Sequence, residues 1–308
     1  MSISQKTANK IIVTLSAGCV VLALFGLFQS NQTLVSFETN GEIVRLDGTS
    51  EGRRPLPSAA GEVLEPPVGT TTETSIVPIE EGWFQYVEVI DGCGPYFDGD
   101  CLAVRSGPGT DFGVTHSLRN GMVLKVSGQV EREGRVWYKI VFDEWLRYPE
   151  RLRGDWYVAA DFVRVLYDEG DKTIDISKQM SISKKHIVVD RSEQKLYAYD
   201  GEELFMKTTI STGLELTPTP RGVFTVFKKT PSRYMQGPLP WLVDQQVYDL
   251  PGVPWNLYFT EQGAVIHGAY WHDKFGKPYS HGCVNLSPAE AEKLYEWADL
   301  GTEVVVQD

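Results

Sequence analysis

The stretch His267–Asn285, HGAYWHDKFGKPYSHGCVN, decides how the C-terminal part of this chain is read. Cys283 stands between Gly282 and the hydrophobic Val284, with His281 two residues upstream and His267 sixteen upstream. A thiol is a strong nucleophile only as thiolate and is mostly protonated at neutral pH. An imidazole within reach can take that proton, which is the logic of Cys/His acyl transfer. The segment therefore points to an enzyme that forms a thioester with its substrate.

Such a site also needs a group that orients the base and donors for a developing oxyanion. His267 closes the apolar run Ala264-Val265-Ile266, which predicts a strand end. Gly268 lets backbone approach closely, and its carbonyl is placed to hold the second ring nitrogen. Gly282 frees the backbone before the nucleophile, and the N–H groups of Gly282 and Cys283 are expected to face the oxyanion. His281 serves either proton transfer or loop geometry, and the second reading is favoured. His272 is expected to face solvent. The histidines and Cys283 form no HExxH or CxxC pattern, so no metal site is expected.

A second stretch, Ser211–Val226, reads STGLELTPTPRGVFTV. Together with SHGCVN and the upstream His-Gly pair, it resembles the L,D-transpeptidase (YkuD-type) catalytic domain, over about residues 184–308. The resemblance implies a β-rich catalytic domain with few helices and no cofactor. It implies that a cysteine attacks the carbonyl after the L-centre of the third residue of a peptidoglycan tetrapeptide, expelling D-Ala. A stem amine then resolves the thioester into a 3→3 cross-link; water as acceptor gives L,D-carboxypeptidase activity. Cys283 matches the nucleophile and His267 the base. His281 and Gly282 match the flanking positions that shape the oxyanion site, and Ser280 and Asn285 the polar positions bracketing the motif. Tyr270 and Trp271 fall in a substrate-contacting lid. Among the aromatic residues between 234 and 258, Trp255 and Tyr258 are the groove candidates.

Chain order separates rival cysteine enzymes. Sortases need an arginine after the cysteine, and none follows Cys283. NlpC/P60 endopeptidases place cysteine before histidine, the reverse of the order here. The alternative from another class is a catalytically silent cell-wall-binding scaffold; the presence of every expected catalytic residue argues against it.

Outside this region, Lys6 and Lys10 precede an uncharged apolar run from Ile11 to Phe28. At 1.5 Å per residue its length is about 27 Å, close to a bilayer core. Residues 1–30 are therefore read as a cytoplasmic tip and a transmembrane helix, with the rest of the chain outside the cytoplasm. A cleaved signal peptide is the alternative; the length of the run and the lack of an A-x-A site favour an uncleaved anchor. Cys19 sits within that run. Residues 31–80 are an extended linker, rich in Pro, Thr and Glu in its second half.

Export changes the reading of the remaining cysteines. Cys93 and Cys101, within DGCGPYFDGDC, are expected to close a small loop by a disulfide. Residues 81–168 carry short alternating runs (FQYVEVI, VLKVSG, VWYKIVF, DWYVAADFVRVL) split by turn residues, the texture of a small β-barrel. With LAVRSGPGTDFG at Leu102–Gly113, this part resembles a bacterial SH3-type domain. The resemblance implies a wall- or peptide-binding module, and a spacer without ligand stays open beside it. The net charge of −12 and the absence of a basic run exclude an electrostatic footprint for nucleic acid. The implied partners are peptidoglycan stem peptides and the membrane, and the location is the cell envelope.

Overall fold

The chain was analysed as a computed structural model, which describes residues 82–175, 183–238 and 247–308. The expected anchor and linker, with Cys19, lie outside the described residues, as does Trp241. Among the described residues no helix is long and apolar enough to cross a membrane.

The first part is built from β1 (Phe84–Val89), β2 (Leu102–Arg105), β3 (Val114–Leu118), β4 (Val123–Arg132), β5 (Arg135–Ile140), β6 (Trp156–Ala159) and β7 (Val163–Asp168). They form one sheet in the order β3-β2-β6-β5-β4-β1-β7. Alternation drives it. In β2, Leu102 and Val104 are buried while Ala103 and Arg105 are only partly so. The run DWYVAADFVRVL divides into β6 and β7 at a 3-10 turn over Ala160–Phe162.

The second part adds β8 (Lys172–Thr173), β9 (Lys185–Asp190), β10 (Lys195–Asp200), β11 (Glu203–Thr209), β12 (Gly222–Thr225), β13 (Lys228–Pro238), β14 (Val247–Tyr258), β15 (Val265–Gly268), β16 (Val284–Leu286), helix α1 (Pro288–Trp297) and β17 (Glu303–Gln307). Two five-stranded sheets result, β11-β10-β9-β17-β12 and β16-β15-β14-β13-β8. Their shared core includes Ile187, Leu196, Val226, Leu257, Ile266, Leu286 and Leu294. The described residues are mainly β, as expected.

Helix α1 starts where its sequence says. Ser287 is the N-cap and accepts from the Glu290 N–H, with Pro288 at the first helical position. Ala291, Leu294 and Tyr295 face the core. The helix stops at Ala298, ahead of Gly301, which turns at φ +94°. Its last carbonyls are held by lysines. Lys229 Nζ donates to the Tyr295 and Ala298 carbonyls (2.7 and 2.5 Å), and Lys185 Nζ to that of Trp297 (2.7 Å). Cations there also oppose the negative end of the helix dipole. Burial pulls the Lys229 ammonium down to about 8.

The two parts pack directly on each other. Val253 and Tyr270 belong to the hydrophobic cluster of the first sheet, beside Leu118, Met122 and Leu124. Gly252 takes φ +64°, and a Cβ there would meet the Val123 carbonyl at 2.8 Å, so only glycine lets β14 approach β4. The loop between β5 and β6 reaches across to the β13–β14 arm. Arg233 Nη1 pairs with Glu144 Oε2 at 2.6 Å, and the Tyr148 N–H donates to Gln236 Oε1 at 2.9 Å. Arg151 pairs with Asp249 at 2.6 Å. The Cys93–Cys101 disulfide is present.

Candidate active site

Strand register brings His267 and Cys283 to one place. β15 and β16 run parallel, with Ile266 opposite Val284 and His267 opposite Asn285. Side chains alternate across a sheet, so His267 and Asn285 share one face, and Cys283, two residues before Asn285, falls on it too. Strand spacing and rise put the His267 and Cys283 Cα atoms roughly 8 Å apart, within side-chain reach. Tyr258, opposite Val265 on β14, lies on the same face. The other face, with Ile266, Val284 and Leu286, is core.

His267 is buried, and its Nδ1 lies 3.0 Å from the Gly268 carbonyl oxygen. A carbonyl only accepts, so Nδ1 carries the proton and Nε2 keeps a lone pair. Burial pulls the imidazole down to about 4, the Gly268 carbonyl working against it and His272 with it. The base is therefore neutral at physiological pH.

Cys283 is partly exposed and is the free cysteine of the described residues. Burial of the sulfur pushes the thiol up to about 11, against a hydrogen bond from the Val265 backbone. The thiol donates to the Gly263 carbonyl at 3.8 Å. At rest the pair is thus thiol and neutral imidazole. Attack by this sulfur would require His267 to take the proton, which is the pattern of general-base catalysis.

The cysteine loop is tied by side chains. Ser280 Oγ donates to the Cys283 carbonyl at 2.6 Å and accepts from the Gly282 N–H at 3.2 Å. This corrects the expectation of two oxyanion donors: the Gly282 N–H is committed to Ser280. The Cys283 N–H has no protein acceptor among the described residues. Gly282 takes φ +119°, which explains glycine before the nucleophile. Thr219 Oγ1 also donates to the Cys283 carbonyl (3.3 Å) and accepts from the Gly213 N–H (2.9 Å). The turn Ser211–Pro220 thereby cradles the cysteine loop, and Ser211 pairs with Asn285 through both backbone bonds at 2.9 Å.

Several expected contacts fall elsewhere. His272 is buried, not in solvent. Its Nδ1 accepts from the Lys274 N–H at 3.1 Å, and its ring is packed by Phe275 and Tyr279. Its Nε2 must therefore carry the proton, and it lies 2.9 Å from the Asn285 amide. Asn285 Oδ1, otherwise buried without a partner, is the acceptor once the amide is turned toward His272. Asn285 thus anchors the lid from beneath rather than meeting substrate. Tyr270, expected to touch substrate, is buried in the first sheet's cluster, its hydroxyl donating to the Pro251 carbonyl at 2.7 Å. Trp255, a groove candidate, is buried against Tyr295 instead, because its backbone bends at φ +62° and turns the indole to the core. Gly268 is buried and closely packed; a Cβ there would meet Pro254 at 2.8 Å. Trp271 stays partly exposed, its ring 5.7 Å from that of His267.

His281 is exposed and stacks on Tyr248, centroids 6.3 Å apart and planes within 10°. Its pKa is lowered by desolvation. The sequence ranks Tyr248 below Trp255 and Tyr258 among the aromatic residues able to line a groove, yet Tyr248 stands beside the cysteine loop. Burial raises its phenol pKa and the neighbouring Cys283 adds to that rise. Burial likewise raises Tyr258, with Cys283 contributing. No motif marks Tyr248; only the pairing of β13 with β14, Gly237 opposite Tyr248, sets it beside the cysteine loop.

Residues 184–306 match the family model of the L,D-transpeptidase catalytic domain. The chain carries a YkuD-type L,D-transpeptidase catalytic domain. Residues 101–164 match the bacterial SH3 domain. The transpeptidase domain is 35% identical over 95 residues to "Probable L,D-transpeptidase 3" of Mycobacterium tuberculosis, covering 30% of this chain and 35% of that one. A Bacillus licheniformis relative bearing the YkuD name is 26% identical over 123 residues, 39% of this chain and 64% of that one. The matches thus span about a third and just under two thirds of those relatives. An Enterococcus faecium L,D-transpeptidase structure is 28% identical over 41% of this chain and 50% of its own, with a TM-score of 0.37.

Proposed function

We propose that the protein is a peptidoglycan L,D-transpeptidase working through a Cys283 thioester, with L,D-carboxypeptidase activity when water is the acceptor. The observation that carries this is the shared face of β15 and β16, where His267, its Nδ1 held by Gly268, stands within reach of Cys283. As Sγ attacks the carbonyl carbon after the third stem residue, His267 Nε2 takes the thiol proton. The carbon–nitrogen bond to D-Ala breaks, and His267 returns the proton to the leaving amine. An acceptor amine then attacks the thioester, a carbon–nitrogen bond forms, and the sulfur leaves and is reprotonated. In this reading the Cys283 N–H stabilises the oxyanion.

Residues 81–168 are the SH3-like domain and 184–308 the catalytic domain in this reading, carried outside the cytoplasm by an anchor at 1–30 and a linker at 31–80. A cavity of about 450 Å³ on the SH3-like part, lined by Asp91, Asp100, Arg105, Arg135, Trp137 and Phe162, supports wall binding by that module. Its mixture of both charges with aromatic rings suits a zwitterionic peptide.

Muropeptide analysis after reaction with purified tetrapeptide substrate tests the function. Cross-linked 3→3 dimers are expected with the wild type and absent with Cys283→Ala. Equal dimer levels in both would defeat it.

A further inference from the structure

The loop closed by Cys93 and Cys101 belongs to the SH3-like part, yet its exposed tip lies against the catalytic domain. Tyr96 Oη approaches Asp273 Oδ1 at 3.4 Å, and Lys274 Nζ lies 5.6 Å from the centre of the Tyr96 ring. The Arg119 guanidinium is sandwiched between two rings, 4.2 Å from Phe97 and 5.1 Å from Tyr270. Arg119 is itself tied to the loop, bridging Cys93, while the Asn120 N–H donates to the Cys93 carbonyl at 2.9 Å. Cation–aromatic contacts of this kind contribute about 0.5–2 kcal/mol each.

The backbone of the loop is built for this. Tyr96 and Phe97 both take positive φ, 60° and 64°. Left-handed conformation in consecutive aromatic residues costs about 1–3 kcal/mol each and persists only where surroundings impose it. The imposing features are the disulfide and the Gly94 N–H to Asp98 carbonyl bond at 2.7 Å.

The residues held on the catalytic side are not a remote surface. Tyr270, Asp273 and Lys274 lie in the segment that runs from His267 to Ser280. The same segment is pinned from below by His272 with Asn285, and by Ser211 Oγ donating to the Lys274 carbonyl at 2.8 Å. It ends at Ser280, whose hydroxyl holds the Cys283 carbonyl. On the outer side of the segment Asp273 and Lys274 are exposed, and Tyr96 of the loop reaches both.

We infer that the Cys93–Cys101 loop is a positioning element of the transpeptidase site: Phe97, with Arg119 and Tyr96, holds the 270–280 segment and so the placement of Ser280 and Cys283. The inference rests on the catalytic reading above. It makes the SH3-like domain part of the active-site architecture rather than a tethered attachment. A displacement of about 1 Å in a nucleophile loop can cost a hundredfold in rate.

The test uses the full chain with imipenem as acyl donor, the β-lactam carbonyl bonding to Sγ as the ring carbon–nitrogen bond opens and the nitrogen takes a proton. Acylation is followed by intact mass at several concentrations, separating the maximal rate from the half-saturating concentration. Hydrogen exchange over 270–280 is measured beside it. Phe97→Ala should lower the maximal rate by about tenfold or more and raise exchange in the segment, with the disulfide intact. Phe97→Tyr should restore both. Cys93→Ser/Cys101→Ser should behave as Phe97→Ala does. Should that double variant not fold, Phe97→Ala decides alone. A maximal rate within about twofold of wild type, together with unchanged exchange, overturns the inference. If the wild type itself takes no adduct, the catalytic reading fails instead, and the exchange comparison still decides whether the loop holds the segment.

Discussion

His267 is oriented by its own neighbour: Nδ1 faces the Gly268 carbonyl oxygen at 3.0 Å. A backbone acceptor fixes the tautomer and cannot be removed by substitution of a side chain. It also brings no negative charge to stabilise an imidazolium, which agrees with an imidazole held down to about 4. His267→Ala is expected to lower the acylation rate by about 10²–10⁴ while Cys283→Ala abolishes it. Stopped-flow acylation checks this; a His267→Ala rate near wild type would remove His267 from the mechanism.

The resting thiol should be unreactive by itself. With Cys283 pushed up to about 11, the thiolate fraction at neutral pH is small. Alkylation by iodoacetamide without substrate is expected to climb steadily from pH 7 to pH 10. A plateau already reached at pH 6 would show a preformed thiolate–imidazolium pair. Substrate acylation, by contrast, needs neutral His267 and is expected to hold down to about pH 5 and fall as pH approaches about 4.

Two buried histidines give stability a pH dependence. Both His267 and His272 are held near about 4 by burial, below the ordinary 6.5. As pH falls through 6.5, the unfolded chain binds these protons before the folded one does. Stability is therefore complete above about 6.5 and declines from there towards about 4. Denaturant midpoints at pH 7, 5.5 and 4.5 should fall in that order, with a shallower slope in His272→Phe. A slope unchanged in that variant would contradict the assignment. At pH 7 the same variant leaves the buried Asn285 amide unpaired and is expected to cost about 1–3 kcal/mol.

Gly213 has no room for a side chain. A Cβ there would stand 2.1 Å from the Thr217 carbonyl oxygen and 2.7 Å from the Thr219 nitrogen. Both atoms belong to the turn that carries Thr219 to the Cys283 carbonyl. Gly213→Ala is expected to shift the melting temperature down by several degrees, as about 1–3 kcal/mol of overpacking would, and to slow acylation further by displacing the loop. A variant with wild-type melting and acylation would show that the turn yields freely.

Much of the strand content was legible because alternation is local. FQYVEVI, VWYKIVF and the run Ala264-Val265-Ile266 each lie largely in strands. The pairing of Cys93 with Cys101 was legible from spacing and compartment. What was not legible depends on packing between distant segments. The long β13–β14 arm contains Pro251, Pro254 and a bend at Trp255, which break the alternation that marks a strand. Trp255 and Tyr270 look like exposed aromatic residues in sequence; a backbone bend turns the first onto Tyr295, and the contact between the two parts buries the second. His272 reads as a loop residue because nothing local shows that Asn285 waits beneath it. Tyr248 lies 35 residues from Cys283 in sequence, and only the hairpin brings it to the site.

Trapping the acyl-enzyme on a natural donor tests the mechanism most directly. A disaccharide-tetrapeptide is mixed with the protein, the reaction is quenched in acid within seconds, and intact mass and peptide mapping follow. The expected result is a donor adduct lacking the terminal D-Ala, located on Cys283 and missing in Cys283→Ala. Release of D-Ala at the wild-type rate by Cys283→Ala, or an adduct on another residue, would contradict it.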